Sequence, residues 1–285
     1  MNNISLDIST RIDARTVRIF RTVAAVAGNI GLEILVVGAT ARDMVMVHGF
    51  ELAARRATRD IDLGVQARHW RDFETLRDGL IGSGNFSLTK APQRLQYQDG
   101  TPLDIVPFGE IAGDDRSIRW PPDDNPVMTV LGFEEALADA FLVVLAHDPP
   151  LIVPVISPRG LVMLKLLAWR DRPNARKDAQ DIGWTLREHI NTSDFQNRLS
   201  NRHPDLLDEA DFTLELAGAR VLGREIGALA SPDTSEVLCR ILHAETDGQG
   251  SYRLVDDMGD RGQSRPFEEN LALLRALLAG IEERF

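Results

Sequence analysis

The segment Arg59 to Val65, RDIDLGV, constrains the fold more than any other stretch. Acidic and aliphatic residues alternate in it, and successive side chains of a β-strand point to opposite faces, so the pattern predicts a strand with Ile61 and Leu63 on a core face and Asp60 and Asp62 together on the other. A helix would scatter these four residues around its axis. A chain containing such a strand needs partner strands and a covering layer, and the flanking sequence supplies both. Upstream, Glu33 to Ala39 (EILVVGA) is a short apolar run ending at Gly38, which suits a buried strand turning into a helix from Thr40 to His48. Before it, Ile12 to Ile30 carries Val17, Phe20, Ala24 and Ala27 at helical spacing with Asp13 near its start. Downstream, His69 to Ile81 reads as a helix and Phe86 to Ala91 and Arg94 to Gln98 as strands. Thr101 to Phe108 (TPLDIVPF) is a further strand, with Leu103 and Ile105 facing the core and Asp104 facing away.

The fold class expected is therefore α/β, a mixed sheet flanked by helices. After the Pro- and Asp-rich stretch from Trp120 to Pro126 come a short helix, Phe133 to Asp139, and two apolar runs, FLVVLA and LIVPVIS, separated by His147 to Pro150 in the manner of a hairpin. Arg159 to Asp171 is predicted helical, with Leu161, Leu164, Leu167 and Ala168 on one side, and Pro173 ends it. Asn174 caps a second helix to about Ile190, with a stripe of Ala179, Ile182, Leu186 and Ile190. From Asn191 onward only helical patterns remain, broken near Pro204, Pro232, Gly248 to Gly250 and Pro266. The domains expected are 1–190, the α/β domain, and 191–285, a helical C-terminal region.

Composition narrows the function classes. The 285 residues carry 32 Lys plus Arg against 43 Asp plus Glu, a net charge of −11, which argues against coating nucleic acid by bulk electrostatics, so an RNA contact needs a local basic patch. With a single cysteine, Cys239, no internal disulfide forms, and the histidines show no zinc-ligand spacing. The N-terminal MNNISLDIST lacks the basic start and apolar run of a signal peptide, and no stretch approaches about 18 apolar residues, so the expectation is a cytoplasmic protein without a membrane partner.

Two carboxylates one residue apart on a strand lie about 6 to 7 Å apart along the backbone and project from one face, near enough to serve a shared pair of divalent ions. Phosphoryl transfer to a hydroxyl uses such a pair, about 4 Å apart, and calls for a third carboxylate from a neighbouring strand. Asp60 and Asp62 meet the first requirement and Asp104 the second. Gly38 followed by a helix N-terminus suits phosphate, because unpaired N–H groups and the helix dipole attract anions. Read alone, Asp-x-Asp also suits a solvated sheet face and Gly38 a plain turn.

The motifs VVGATARD (Val36 to Asp43), RATRDIDLGV (Arg56 to Val65), PLDIVPFG (Pro102 to Gly109) and KLLAWRDRPNARKDAQDI (Lys165 to Ile182), in this order, resemble the nucleotidyltransferase superfamily and, within it, the AbiEii/AbiGii group. That group contains toxins of bacterial toxin–antitoxin or phage-defence pairs, and its relatives include the MenT enzymes, which transfer nucleotides to tRNA ends. The resemblance spans about residues 33 to 190. It implies a metal-dependent nucleotidyltransferase with Asp60, Asp62 and Asp104 as metal ligands, two Mg²⁺ ions (Mn²⁺ as a substitute) as cofactors, and an NTP as substrate. It further implies Gly38 and its neighbours as the triphosphate turn, Lys165 as a phosphate contact, an RNA (tRNA) acceptor, and an antitoxin partner. One departure stands out: the second small residue of the turn, Gly or Ser in the family, is Ala39 here, so either Thr40 supplies the missing hydroxyl or backbone N–H groups and basic side chains hold the phosphates.

Between Arg159 and Lys177 six basic residues (Arg159, Lys165, Arg170, Arg172, Arg176, Lys177) face a single acid, Asp171. Such a stripe reads either as a solvated face or, beside the carboxylates, as a phosphate surface, with Lys165, Arg172 and Arg176 its candidate contacts. Arg42 is a candidate for reaching the triphosphate, and Arg59 for pairing with a surface acid. Asp178 and Asp181 either orient Lys165 or Arg176 or serve the dipole of their helix. Rival readings are a protein-nucleotidylating enzyme on the same carboxylates, an antibiotic-modifying transferase, and a non-catalytic binding module.

Overall fold

The computed structural model describes residues 5–54, 58–125, 127–172, 176–208, 213–248, 250–259 and 267–283. Pro173, Asn174 and Pro266, expected to end or cap helices, lie outside the described residues. The chain packs as two units, 1–157 and 158–285.

The first unit is built on an eight-stranded mixed sheet. Its strands are β1 (Ser5–Asp7), β2 (Ile34–Val37), β3 (Ile61–Gln66), β4 (Phe86–Leu88), β5 (Arg94–Tyr97), β6 (Pro102–Phe108), and, after two short strands β7 (Ser117–Arg119) and β8 (Val127–Thr129), β9 (Phe141–His147) and β10 (Pro150–Val155). The spatial order is β1-β9-β10-β2-β3-β6-β5-β4, with β7 and β8 forming a separate antiparallel ladder. The α/β class with a helical C-terminal part is as expected, and FLVVLA and LIVPVIS form the antiparallel pair β9 and β10. Sequence periodicity did not mark β1, β7 or β8, because three residues carry too little alternation to stand out.

Helix α1 (Ala14–Asn29) starts where Asp13 caps it, accepting from the Thr16 N–H at 3.0 Å and the Thr16 hydroxyl at 2.6 Å. Its buried residues are Thr16, Ile19, Phe20, Val23 and Ala27. Phe20 and Ala27 thus lie on the expected face, whereas Val17 and Ala24 sit at its half-buried margin, because the stripe centres on Ile19 and Val23. After β2 comes α2 (Gly38–Arg42), which continues as a π-helical segment, Asp43–Gly49; then α3 (Trp70–Gly82) and α4 (Phe133–Ala138). Trp70 and Phe73 of α3 pack against the buried Trp120 ring, with centroids 5.1 and 5.3 Å away.

The second unit is helical: α5 (Pro158–Asp171), α6 (Arg176–Glu188), α7 (Phe195–Arg202), α8 (Leu214–Leu229), α9 (Pro232–Thr246), α10 (Arg253–Asp257) and α11 (Phe267–Glu282). The boundary at residue 157 precedes the one expected near 191. Helices α5 and α6 pack against α8, and α5 also against α9, so their apolar faces are completed by the C-terminal helices. Helix α8 meets α11 at glycine, where a Cβ on Gly223 would stand 2.2 Å from the Leu277 carbonyl oxygen and 3.0 Å from the Gly280 Cα. Among the described residues no helix is long and apolar enough to cross a membrane.

Alanine is the better helix former by about 1 kcal/mol, but these obstacles are backbone atoms that cannot rotate aside. Gly223→Ala is therefore expected to lower stability by about 1 to 3 kcal/mol net, checked by urea unfolding, and an unchanged midpoint would contradict this packing.

Candidate active site

The centre of the first unit follows from strand register. β3 and β6 are parallel neighbours, and Asp62 is the direct partner of Asp104, with Ile61 opposite Leu103 and Leu63 opposite Ile105. Those four aliphatic residues are buried, so period two sends both aspartates to the opposite face. Asp60 lies one residue before β3, outside the strand expected to include it, with its side chain half exposed.

On the other side of β3, Val37 of the antiparallel β2 is the partner of Asp62, so the next residue, Gly38, passes directly beside the Asp62 carboxylate. Gly38 has φ +71°, and a Cβ there would fall 2.1 Å from Asp62 Oδ2. Both the backbone angle and the space admit glycine alone. The adjoining Thr40 donates its hydroxyl hydrogen to the Asp60 carbonyl at 2.7 Å, which ties the turn to the residue before β3. The hydroxyl proton expected to compensate for Ala39 is thus committed within the chain. Thr40 also lines an open concavity with Asp13, Arg15, Asp43, Thr58 and Arg59.

Arg94 was not singled out from sequence. It lies on β5 directly opposite Asp104, and its guanidinium grips that carboxylate with both edges, Nε to Oδ1 at 2.7 Å and Nη2 to Oδ2 at 2.6 Å. Nη2 also stands 3.8 Å from Asp60 Oδ2. The hydrogen bonds to Asp104 hold the Arg94 pKa above its usual value against the opposing effect of burial, reinforced by the charges of Asp104, Asp60 and Asp62. The available signal was alternation in β5, where Leu95 and Tyr97 are buried and Arg94 and Gln96 fall on the other face; the register that brings Arg94 to Asp104 is not written locally.

Carboxylate oxygens from neighbouring strands, gathered on one face around one positive charge, are the donor set a hard divalent cation takes. Among the described residues no three acidic, His or Cys side chains are drawn together as a ready-made metal cluster; a guanidinium stands among these aspartates. In identity, carboxylate oxygens, these residues fit such an ion, and Arg94 holds both Asp104 oxygens in this structure.

Arg42 departs from expectation. Its side chain is fully buried and bonded to Asp43, Nε to Oδ1 at 2.9 Å and Nη2 to Oδ1 at 2.6 Å, so it is not presented to a triphosphate. In the second unit, Lys165 Nζ lies 2.7 Å from Asp178 Oδ1 and 3.1 Å from Asp181 Oδ2, and both acids are buried. Burial lowers the Lys165 pKa, but the two carboxylates outweigh it and the net shift is upward, which keeps the ammonium charged. Arg172 pairs with Asp178 at 2.8 Å and Arg176 with Asp257 at 3.0 Å. Arg170 pairs with Asp171 at 2.8 Å. The stretch that reads as an unopposed basic patch is thus largely neutralised by acids more distant in sequence. Of the two readings of Asp178 and Asp181, their contacts match the one in which they orient Lys165. Trp169 is buried, with its Nε1–H donating to Asp257 at 3.2 Å.

Gly38→Ala is expected to destabilise the chain by at least about 1 to 2 kcal/mol from the left-handed backbone alone, with further loss from displacing Asp62. Gly28→Ala, where the added methyl meets nothing within 4 Å, is expected to be neutral or stabilising; urea unfolding of the two variants compares them, and equal effects would contradict the contact. Lys165→Met leaves two buried acids facing each other and is expected to cost about 3 to 5 kcal/mol. Much of that loss should return in the triple variant K165M/D178N/D181N, measured in the same way.

The family model described as "Nucleotidyl transferase AbiEii toxin, Type IV TA system" matches residues 23–225. No curated relative matches the chain. Among solved structures, ANT(2'')-Ia in complex with adenylyl-2''-tobramycin is similar at 12% identity and a TM-score of 0.39, over 65% of this chain and 99% of that one. The Thermotoga maritima CCA-adding enzyme complexed with tRNA is similar at 12% identity and a TM-score of 0.27, over 98% of this chain and 82% of that one. A CCA-adding enzyme in complex with ATP is similar at 15% identity and a TM-score of 0.27, over 92% and 67%. With a model covering residues 23–225, beyond half of its length, the chain belongs to the AbiEii nucleotidyltransferase toxin family.

Proposed function

We propose that this nucleotidyltransferase transfers a nucleotide from an NTP to a hydroxyl of an RNA, a tRNA end, with Asp60, Asp62 and Asp104 as the ligands of Mg²⁺. The observation that carries the reading is the register pairing of Asp62 with Asp104 directly beside the Gly38 turn. In the reaction an acceptor hydroxyl oxygen attacks the α-phosphorus, the bond from that phosphorus to the bridging oxygen breaks, and pyrophosphate leaves. Two bound Mg²⁺ ions, replaceable by Mn²⁺, supply charge neutralisation and a lowered pKa for the attacking hydroxyl.

The residues of the chain have separate tasks. Asp60 and Asp62 would hold the ions together with Asp104, and Asp104 would also receive or position the hydroxyl proton. The turn of Gly38, Ala39 and Thr40 offers backbone N–H groups to phosphate oxygens, since Ala39 has no hydroxyl and the Thr40 hydroxyl donates to the Asp60 carbonyl. The family resemblance assigns Lys165 to phosphate contact, with Arg172 and Arg176 as further candidates; in the second unit they pair with Asp178, Asp181 and Asp257. Arg42 is left out of this assignment because it is buried. The RNA acceptor and a toxin role opposed by an antitoxin protein follow from the resemblance to the family, whose description as a type IV toxin supports the latter; a cytoplasmic setting follows from the sequence reading above.

Incubation of the purified protein with labelled NTPs, Mg²⁺ and total tRNA is expected to label the RNA from one of the four nucleotides. Asp62→Ala should reduce labelling by at least about a hundredfold, since loss of an ion's stabilisation is worth several kcal/mol and each 1.36 kcal/mol is tenfold. Transfer that persists in EDTA would overturn the mechanism, and label appearing on protein instead of RNA would move the acceptor to a protein hydroxyl.

A further inference from the structure

Arg94 is not used by the reaction proposed above, yet it engages the two outer aspartates of the three. Both oxygens of Asp104 accept from it, and Asp60 lies within 3.8 Å of the same Nη2. Its side chain is 38% exposed, so solvent is open to it without any rearrangement of the sheet. A carboxylate oxygen has two lone pairs, and a bidentate guanidinium engages one on each oxygen while placing its charge where a divalent ion would sit.

We propose that Arg94 is an internal counter-cation: with no ion bound it neutralises Asp104 and Asp60, and a divalent ion binds only by displacing it from Asp104. This inference rests on the metal site of the proposed function. Arg94 is thus a positioning residue that sets the ion concentration at which the site assembles. Two requirements explain why the residue is arginine. Asp62 and Asp104, opposed on neighbouring strands, repel unless a positive charge stands near, and the charge must leave intact when the ion arrives. An arginine remains charged throughout and moves by side-chain rotation alone.

Binding of Mn²⁺ to the full-length, nucleotide-free protein, followed by calorimetry and by the paramagnetic resonance signal of free Mn²⁺, tests this without reference to activity. Arg94→Gln is expected to bind Mn²⁺ about tenfold more tightly than the unaltered protein, a fraction of what an unscreened unit charge at this distance exerts. Should Arg94→Gln fail to fold, Arg94→Lys carries the test, because a lysine loses the two-point grip and should also bind Mn²⁺ more tightly. The double variant R94Q/D62N should lose the gain. Equal or weaker Mn²⁺ binding in R94Q would overturn the inference while leaving the metal site standing; a gain that survives D62N, or Mn²⁺ bound by neither the unaltered protein nor R94Q, would overturn the site itself and the inference with it.

Discussion

The parallel pairing of β3 with β6 is the constraint on which the rest of the first unit depends. It buries Ile61, Leu63, Leu103 and Ile105 on one side and, by the same periodicity, obliges Asp62 and Asp104 to stand opposite each other on the other. Like charges in direct opposition across a sheet are unfavourable, so the hydrophobic gain of one face carries an electrostatic cost on the other. A fold that retains this arrangement requires a compensating positive charge. The neighbouring β5 provides it through Arg94, and the compactness of Gly38 allows β2 to approach closely on the far side.

The second unit handles charge differently. Lys165 is surrounded by Asp178 and Asp181 in a part of the helical packing where water has little access, so removal of either sign leaves the other exposed to a low dielectric. Around it, Arg172 shares Asp178, and Arg176 shares Asp257 with the indole of Trp169. The result is a network in which Asp178 and Asp257 each serve two donors. Such networks hold side chains in one geometry.

Much of the carboxylate centre was legible from RDIDLGV and TPLDIVPF, because strand alternation is a local property and a charged residue among aliphatics declares its face. Gly38 was legible as a turn, but its closeness to Asp62 depends on β2 pairing with β3 in one register, which no local pattern encodes. Arg94 was overlooked for the same reason: its partner is set by which residue of β6 it meets. Counting charge along residues 159 to 177 leaves out acids that return in space, Asp178 and Asp181 from the next helix and Asp257 from α10. Arg42 illustrates the converse, a charge whose neighbour Asp43 lets it be buried. The packing boundary at residue 157 differs from the one expected near 191 because amphipathic helices such as α5 and α6 look alike in sequence whether they cover a sheet or join a bundle.

The hydroxyl of Thr40 links the short helix after β2 to the backbone just ahead of β3. A bond of this kind contributes about 1 kcal/mol and joins two segments that the β2–β3 ladder already holds side by side, so the turn and the backbone of the first aspartate are tethered at two points. A hydrophobic side chain of similar size at position 40 would remove one tether and leave the Asp60 carbonyl to Thr58, whose hydroxyl stands 3.5 Å away.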